Sequence, residues 1–472
     1  MARPRSVHAC TECGTQQPRW LGRCPGCGAW GSLVEEIPTA AAGADLLAPG
    51  PRPPRAERDE GVRPVPLQRV EASGSPRLPT GLAELDRVLG GGLVPGSVAL
   101  LGGEPGIGKS TLALQLALAV ARDMGPVLYV SGEESLEQVR LRAERLGCLP
   151  PRLFALAETR VEALAAPWRQ VAPAVVIVDS IQTARTERVE SAPGSVAQVR
   201  ESAALLAATA KAHGTALVLV GHVTKEGALA GPRVLEHLVD AVLTFEGDRG
   251  HALRILRAVK NRFGSTQEVG VFQMAEAGLE QVPNPSELFL AERHAGTPGS
   301  CVAPLREGTR TLLLEVQALV APAGYGTARR TSLGLEDGRV ALILAVLERR
   351  TALDLVGCDV YVNATGGVRV GEPAADLALA LALASSRLDL PLPSDVAACG
   401  EVGLGGEVRR VSQIGLRLAE AGRLGFRRVL VPAAWADEPT PEGVQTLGVE
   451  SVADAVAWLR EVAPVHVDAN DR

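Results

Sequence analysis

Residues 97–116 read SVALLGGEPGIGKSTLALQL. Val98 to Leu101 is a short apolar run of the kind that forms a buried strand. A glycine-rich loop follows it, and apolar residues then recur at helical spacing. Within the stretch, Gly103, Gly108, Lys109 and Ser110 satisfy G-x-x-x-x-G-K-[ST], the phosphate-binding loop. The chemistry explains the residue types. Gly103, Gly106 and Gly108 let the backbone turn its N–H groups inward around phosphate oxygens, with Glu104, Pro105 and Ile107 completing the cradle. The helix beginning near Lys109 directs its positive end at the same anion. Lys109 is expected to neutralise the β- and γ-phosphates of ATP, and Ser110, with Thr111 beside it, to hold Mg²⁺.

Around this loop, apolar runs alternate with helical stretches: VLYVSG (127–132), AVVIVD (174–179), ALVLVG (216–221) and AVLTFEG (241–247). A helix over 135–146 opens on a capping box of Ser135 and Gln138 and closes at Gly147. This alternation predicts an α/β fold, a mostly parallel sheet with helices on both faces. Ligands of such sheets sit beyond the carboxyl ends of the strands, and that locates the other candidates. Asp179 ends its strand where a carboxylate reaches the Mg²⁺ shell. Glu133 and Glu134 end the strand before it, and either one can serve as general base toward water. His222 ends the next strand. Lys260 and Arg262, in KNRFG (260–264), follow the strand-like LRILRAV.

The totals agree with a globular chain: 472 residues, 46% hydrophobic and 22% charged, with a net charge of −6. That charge argues against a wholesale polyanion binder, so any nucleic-acid surface must be local. The sequence contains no apolar run long enough for a membrane span, and the start lacks a signal-peptide core, so a cytoplasmic protein is expected. Only four of the 48 basic residues are lysines: Lys109, Lys211, Lys225 and Lys260. Near the start, Cys10-x-x-Cys13 and Cys24-x-x-Cys27 form two knuckles, each followed by glycine. Four thiolates in two short pairs suit tetrahedral Zn²⁺, with iron in the same cage an open alternative. Trp20 and Trp30 lie beside them, either as a nucleic-acid contact or as packing residues. The remaining cysteines (Cys148, Cys301, Cys358 and Cys399) are expected in cores.

These motifs resemble the RadA (Sms) family of bacterial DNA repair proteins, relatives of RecA. The resemblance rests on CTECG, CPGCGAWG, GEPGIGKST, YVSGEES, GHVTKEG and, above all, KNRFG. It implies a RecA-like ATPase core, with Glu133 as catalytic glutamate, His222 as γ-phosphate sensor, and Lys260 and Arg262 reaching a neighbouring subunit's ATP. It also implies DNA loops after Asp179 (Arg185, Arg188) and after His222 (Lys225, Arg233). The implied protein is a DNA-dependent ATPase, a homohexameric ring acting on single-stranded and branched DNA after RecA filaments have carried out strand invasion.

The expected organisation is a zinc knuckle over 1–35, a linker over 36–76 rich in Pro, Ala and Gly, the ATPase domain over 77–283 and a short linker over 284–297. An α/β domain over 298–465 and a tail over 466–472 complete the chain. The last domain resembles the proteolytic domain of Lon, with strands at 358–364 and 427–432 and helices near 374–386, 412–424 and 451–462. Lon uses a Ser–Lys dyad. Here the matching turn, Glu372 to Asp376, carries Ala374 at the nucleophile position, the lysine position falls near Gly415, and no lysine follows Lys260. A dyad within the domain therefore cannot form. A regulatory or protein-remodelling ATPase without protease activity is the alternative reading, and Arg409, Arg410, Arg417, Arg423, Arg427 and Arg428 are either DNA contacts or scattered surface arginines.

Overall fold

In a computed structural model of the chain, the apolar run at 98–103 is the middle strand of a nine-stranded sheet. The structure describes residues 7–10, 15–26, 28, 30–36, 66, 68, 77–221, 233–247, 253–324, 328–367, 370–435 and 439–462. Cys13, Cys27, His222 and Lys225 fall outside the described residues, as do the tail at 466–472 and nearly all of the linker at 36–76. Arg233 is placed by its backbone alone.

The chain divides into two units, one of residues 1–246 and 254–281, the other of 247–253 and 282–472. The first begins with a three-stranded antiparallel ribbon of β1 (Val7–Cys10), β2 (Gln16–Gln17) and β3 (Leu33–Glu36). There follow α1 (Ala83–Leu89), β4 (Val98–Gly103), α2 (Lys109–Asp123), β5 (Val127–Ser131), α3 (Leu136–Leu146), β6 (Leu153–Ala157), α4 (Ala165–Val171) and β7 (Val175–Asp179). The unit continues with α5 (Val196–His213), β8 (Ala216–Val220), α6 (Arg233–Leu238), β9 (Ala241–Glu246), β10 (Leu253–Asn261), β11 (Val269–Ala275) and β12 (Gly278–Gln281). The sheet order is β12-β11-β10-β9-β4-β8-β7-β5-β6. Strands β9 to β6 in that order run parallel, and β10 returns antiparallel along β9.

Period-two alternation sorts the parallel strands onto two faces. Ala99, Leu101, Tyr129, Ile177 and Val218 pack with α1 and α2, while Leu100, Leu128, Val176 and Leu219 pack with α4 and α5. The capping box forms as expected, with Gln138 N–H donating to Ser135 Oγ and Ser135 N–H to Gln138 Oε1.

In the second unit, α7 (Pro285–Leu290) precedes β13 (Ser300–Glu307), β14 (Arg310–Pro322), β15 (Arg330–Leu333), α8 (Asp337–Arg350), β16 (Cys358–Ala364) and α9 (Asp376–Leu388). It ends with β17 (Val396–Ala398), the short β18 (Glu401–Val402) and β19 (Val408–Arg409), α10 (Ile414–Arg423), β20 (Arg428–Pro432), β21 (Gln445–Val449) and α11 (Val452–Val462). Seven of these strands form one mixed sheet, in the order β15-β16-β14-β13-β17-β20-β21. Cys301, Cys358 and Cys399 are buried, but Cys148 is exposed, a correction to its expected place in a core. It follows Gly147, the residue that caps α3, and so belongs to no helix or strand that packs on the sheet.

Candidate nucleotide site

The loop between β4 and α2 takes backbone conformations that favour glycine. Gly106 and Gly108 have φ of +79° and +115°, and a Cβ at Gly108 would come within 2.9 Å of Met274 Cε. Lys109 is the first residue of α2, followed by Ser110 and Thr111. Its side chain is buried and curls back over the loop, Nζ donating to the carbonyls of Gly103 and Glu104, each at 2.8 Å. Burial lowers its pKa to about 8, against the opposing pull of the Asp179, Glu133 and Glu104 carboxylates. The structure therefore brings Lys109, Glu133 and Asp179 into one electrostatic neighbourhood.

Neighbouring strands hold the two carboxylates. Ser131 and Asp179 are partners across β5 and β7, which places Tyr129 diagonally from Asp179 on the face that carries α2. The Tyr129 hydroxyl donates to Asp179 Oδ2 at 2.6 Å. Burial, and then the adjacent carboxylate, push this phenol well above its ordinary pKa, so it remains a proton donor. Ser180 Oγ donates to Glu133 Oε1 at 2.6 Å. Glu134, equally eligible by sequence, is ion-paired with Arg142 of α3, which separates the two glutamates. Gly132 is needed between them and the strand, because a Cβ there would lie 1.9 Å from Thr183 Oγ1. The donors fit Mg²⁺, a hard cation that takes a carboxylate and a hydroxyl; Asp179 and Ser110 would hold it and ATP would supply the phosphates.

Sequence reasoning missed several of these side chains. Tyr129 and Ser180 carry no motif signal. Arg254 of β10 is buried and donates from Nε to the Ile107 carbonyl at 3.2 Å, bracing the loop from a strand far along the chain. Gln198 is buried at the start of α5. Its amide donates to the carbonyls of Thr186, Val189 and Ser191 at 3.2, 2.7 and 3.0 Å, tethering the segment that carries Arg185 and Arg188. Arg185 there is exposed and Arg188 half-buried.

Lys260 and Arg262 lie elsewhere. Asn261 pairs with Ala241, and Ala241 with Ala99 at the start of β4, whereas Gly103 pairs with Phe245. KNRFG thus sits at the opposite end of the sheet from its own phosphate loop, a strand length of about 13 Å away along β4. Lys260 Nζ donates to the carbonyls of Glu236 and Val239, the latter at 2.8 Å. Asn261 Nδ2 donates to the Val88 and Leu89 carbonyls at the end of α1. Arg262 is more than half exposed and pairs with Asp240 at 3.0 Å.

In the knuckle, Cys10 and Cys24 are buried together with Leu33. The Gly26 N–H donates to Cys24 Sγ at 3.3 Å, the arrangement expected of a thiolate held for metal.

The turn at Glu372 to Asp376 in the second unit has a different environment. Ala374 is buried and Glu372 pairs with Arg417. Arg417 is fully buried and also donates to the carbonyls of Pro304 and Ser412, at 2.8 and 2.9 Å. This corrects its candidacy as a DNA contact, because its charge is spent inside the fold. Arg339 pairs with buried Asp376, whose Oδ2 accepts the Val402 N–H at 3.0 Å. Arg409, Arg423 and Arg428 are each paired with carboxylates as well.

A phosphate loop at the middle of a parallel sheet, with carboxylates at the next strand ends and a cysteine ribbon ahead of it, defines a P-loop ATPase with a metal-binding knuckle. The comparisons agree: residues 62–228 match the AAA domain family and residues 8–35 the rubredoxin metal binding domain. The chain is 49% identical to the DNA repair protein RadA of Bacillus subtilis, over 97% of this chain and 99% of that one. It is 50% identical to that of Pseudomonas aeruginosa, over 98% and 100%. The chain belongs to the RadA family of DNA repair proteins.

Proposed function

We propose that the chain is a DNA-dependent ATPase that works as a hexameric ring on recombination intermediates, extending heteroduplex by branch migration after RecA-mediated strand invasion. Lys109 binds the β- and γ-phosphates, Asp179 and Ser110 hold Mg²⁺, and Glu133 activates water. Arg262 completes the neighbour's site, His222 senses the γ-phosphate, and Zn²⁺ fills the four-cysteine knuckle. One observation carries the ring reading: KNRFG lies a strand length from its own phosphate loop, so an exposed Arg262 serves a nucleotide only on another subunit.

A short path supports coupling to DNA. Ser180 meets Glu133, and Thr183, whose Oγ1 donates to the Ser180 carbonyl at 2.8 Å, packs against Gly132. The segment leading on from Thr183 carries Arg185 and Arg188 and is the proposed first DNA loop. Arg233, with Lys225, belongs to the proposed second.

ATP hydrolysis measured against single-stranded, duplex and forked DNA tests the proposal. Stimulation by single-stranded or forked DNA, weakening steeply with salt, is the expected result. Stimulation by unfolded protein but not by DNA would favour the protein-remodelling alternative.

A further inference from the structure

The knuckle has a small core of Cys10, Cys24 and Leu33, and neither of its tryptophans belongs to it. Trp20 is 58% exposed and Trp30 78%, whereas Trp168 in the ATPase unit is 2% exposed. Both exposed rings approach Gly22: a Cβ there would sit 3.6 Å from Trp30 Cζ3 and 3.8 Å from Trp20 Cη2. Both rings are thus exposed on either side of one glycine, and packing inside the ribbon does not account for their exposure.

Within the stretch that carries both rings, the charges have one sign. Arg19, beside Trp20, is exposed. Arg23 bridges to Trp30 across the ribbon, and its Nε donates to the Gly28 carbonyl at 2.9 Å, which fixes the guanidinium on the knuckle. Residues 15–32 contain these two arginines and no acidic residue. Flat apolar faces flanked by fixed cations suit a ligand that presents π faces and negative charge together. Single-stranded nucleic acid does so, while a duplex hides its base faces in the stack.

We propose that Trp20 and Trp30 form a stacking platform for unpaired DNA bases, with Arg19 and Arg23 contacting the adjoining phosphates. The proposal rests on the reading of the chain as an ATPase that acts on DNA. It adds a second point of grip, on the metal knuckle, to the loops of the ATPase unit.

The test uses the full chain and a fluorescein-labelled oligothymidylate, read by anisotropy over a range of salt. The double substitution Trp20→Ala/Trp30→Ala is expected to weaken binding about tenfold or more while leaving the salt slope in place. Arg19→Ala/Arg23→Ala is expected to make that slope shallower by about 1.4, from two lost phosphate contacts at roughly 0.7 each. Trp30→Phe, which keeps a ring, should recover most of the affinity. Bound metal and hydrolysis without DNA should match the parent protein in every variant. Parental affinity in the double variant would overturn the platform, as would an equal loss of binding to duplex. If the double variant loses its metal, Trp30→Ser at the more exposed position decides: parental affinity there overturns the proposal, and a severalfold loss with metal retained upholds it. Should the parent protein itself fail to bind the oligonucleotide, the functional reading falls first.

Discussion

Two turns in this molecule look alike and behave in opposite ways. Each leads into a helix, one at Gly103 to Lys109 and the other at Glu372 to Asp376, and each gathers buried charge. In the ATPase unit, the charges accept or donate these hydrogen bonds with neutral groups: two backbone carbonyls for Lys109, a phenol for Asp179 and a hydroxyl for Glu133. In the second unit, charges hold charges: Arg417 against Glu372 and Arg339 against Asp376. A neutral partner orients a charge without cancelling it, so a phosphate or Mg²⁺ can still claim it. A counter-ion uses it up. The first turn is built for a ligand and the second for the fold.

Breaking each turn should therefore give a different signature. Lys109→Ala is expected to abolish hydrolysis in a chain that stays folded, and Glu133→Gln to slow turnover by about 10²–10⁴-fold with nucleotide binding retained; single-turnover assays and calorimetry separate the two. In contrast, Arg417→Ala leaves Glu372 without its cation and is expected to cost the second unit about 3–5 kcal/mol. Replacing the pair by apolar residues, Arg417→Met with Glu372→Leu, should recover most of that loss in denaturant unfolding. Hydrolysis lost in the double variant would show that the second turn has work beyond holding the fold.

Smaller effects test the neutral partners themselves. Ser180→Ala is expected to lower turnover about tenfold without changing nucleotide affinity, because Glu133 loses its orientation and not its charge. Tyr129→Phe should instead raise, severalfold, the Mg²⁺ concentration needed for ADP to stabilise the protein thermally. An unchanged Mg²⁺ dependence would leave the phenol a packing group only.

The sequence exposes one side of this contrast better than the other. A phosphate loop is legible because its glycines, lysine and serine are local, and the strand-end carboxylates follow from the alternation around it. Tyr129 is invisible in VLYVS, since its hydroxyl meets Asp179 only once β5 and β7 are in register. Arg254 reaches Ile107 from 147 residues away. Lys260 reads as a cation at a strand end, and nothing local reveals that the return of β10 along β9 seats it on the carbonyls of Glu236 and Val239. Absence of the dyad could be read from lysine inventory alone. That Arg417 fills the region with a buried pair could not, because arginine on an amphipathic helix ordinarily faces water.

The last expected effect is a pair of pH slopes. Lys109 has a pKa of about 8 here, against an ordinary 10.5. Above about pH 8 the folded chain has released a proton that the unfolded chain still holds. This group's contribution to folding stability without nucleotide must therefore rise with pH between about 8 and 10.5, by up to about 1.4 kcal/mol per unit. Nucleotide binding takes the opposite sign. A phosphate needs the charged ammonium, so above pH 8 binding must take a proton up, and affinity should fall toward tenfold per unit. Thermal unfolding and ADP titration over pH 7–9.5 read both slopes. In Lys109→Met both contributions should vanish together. If affinity holds steady through pH 9, the lysine at the first turn is as fully satisfied as the arginine at the second, and the contrast between the turns fails.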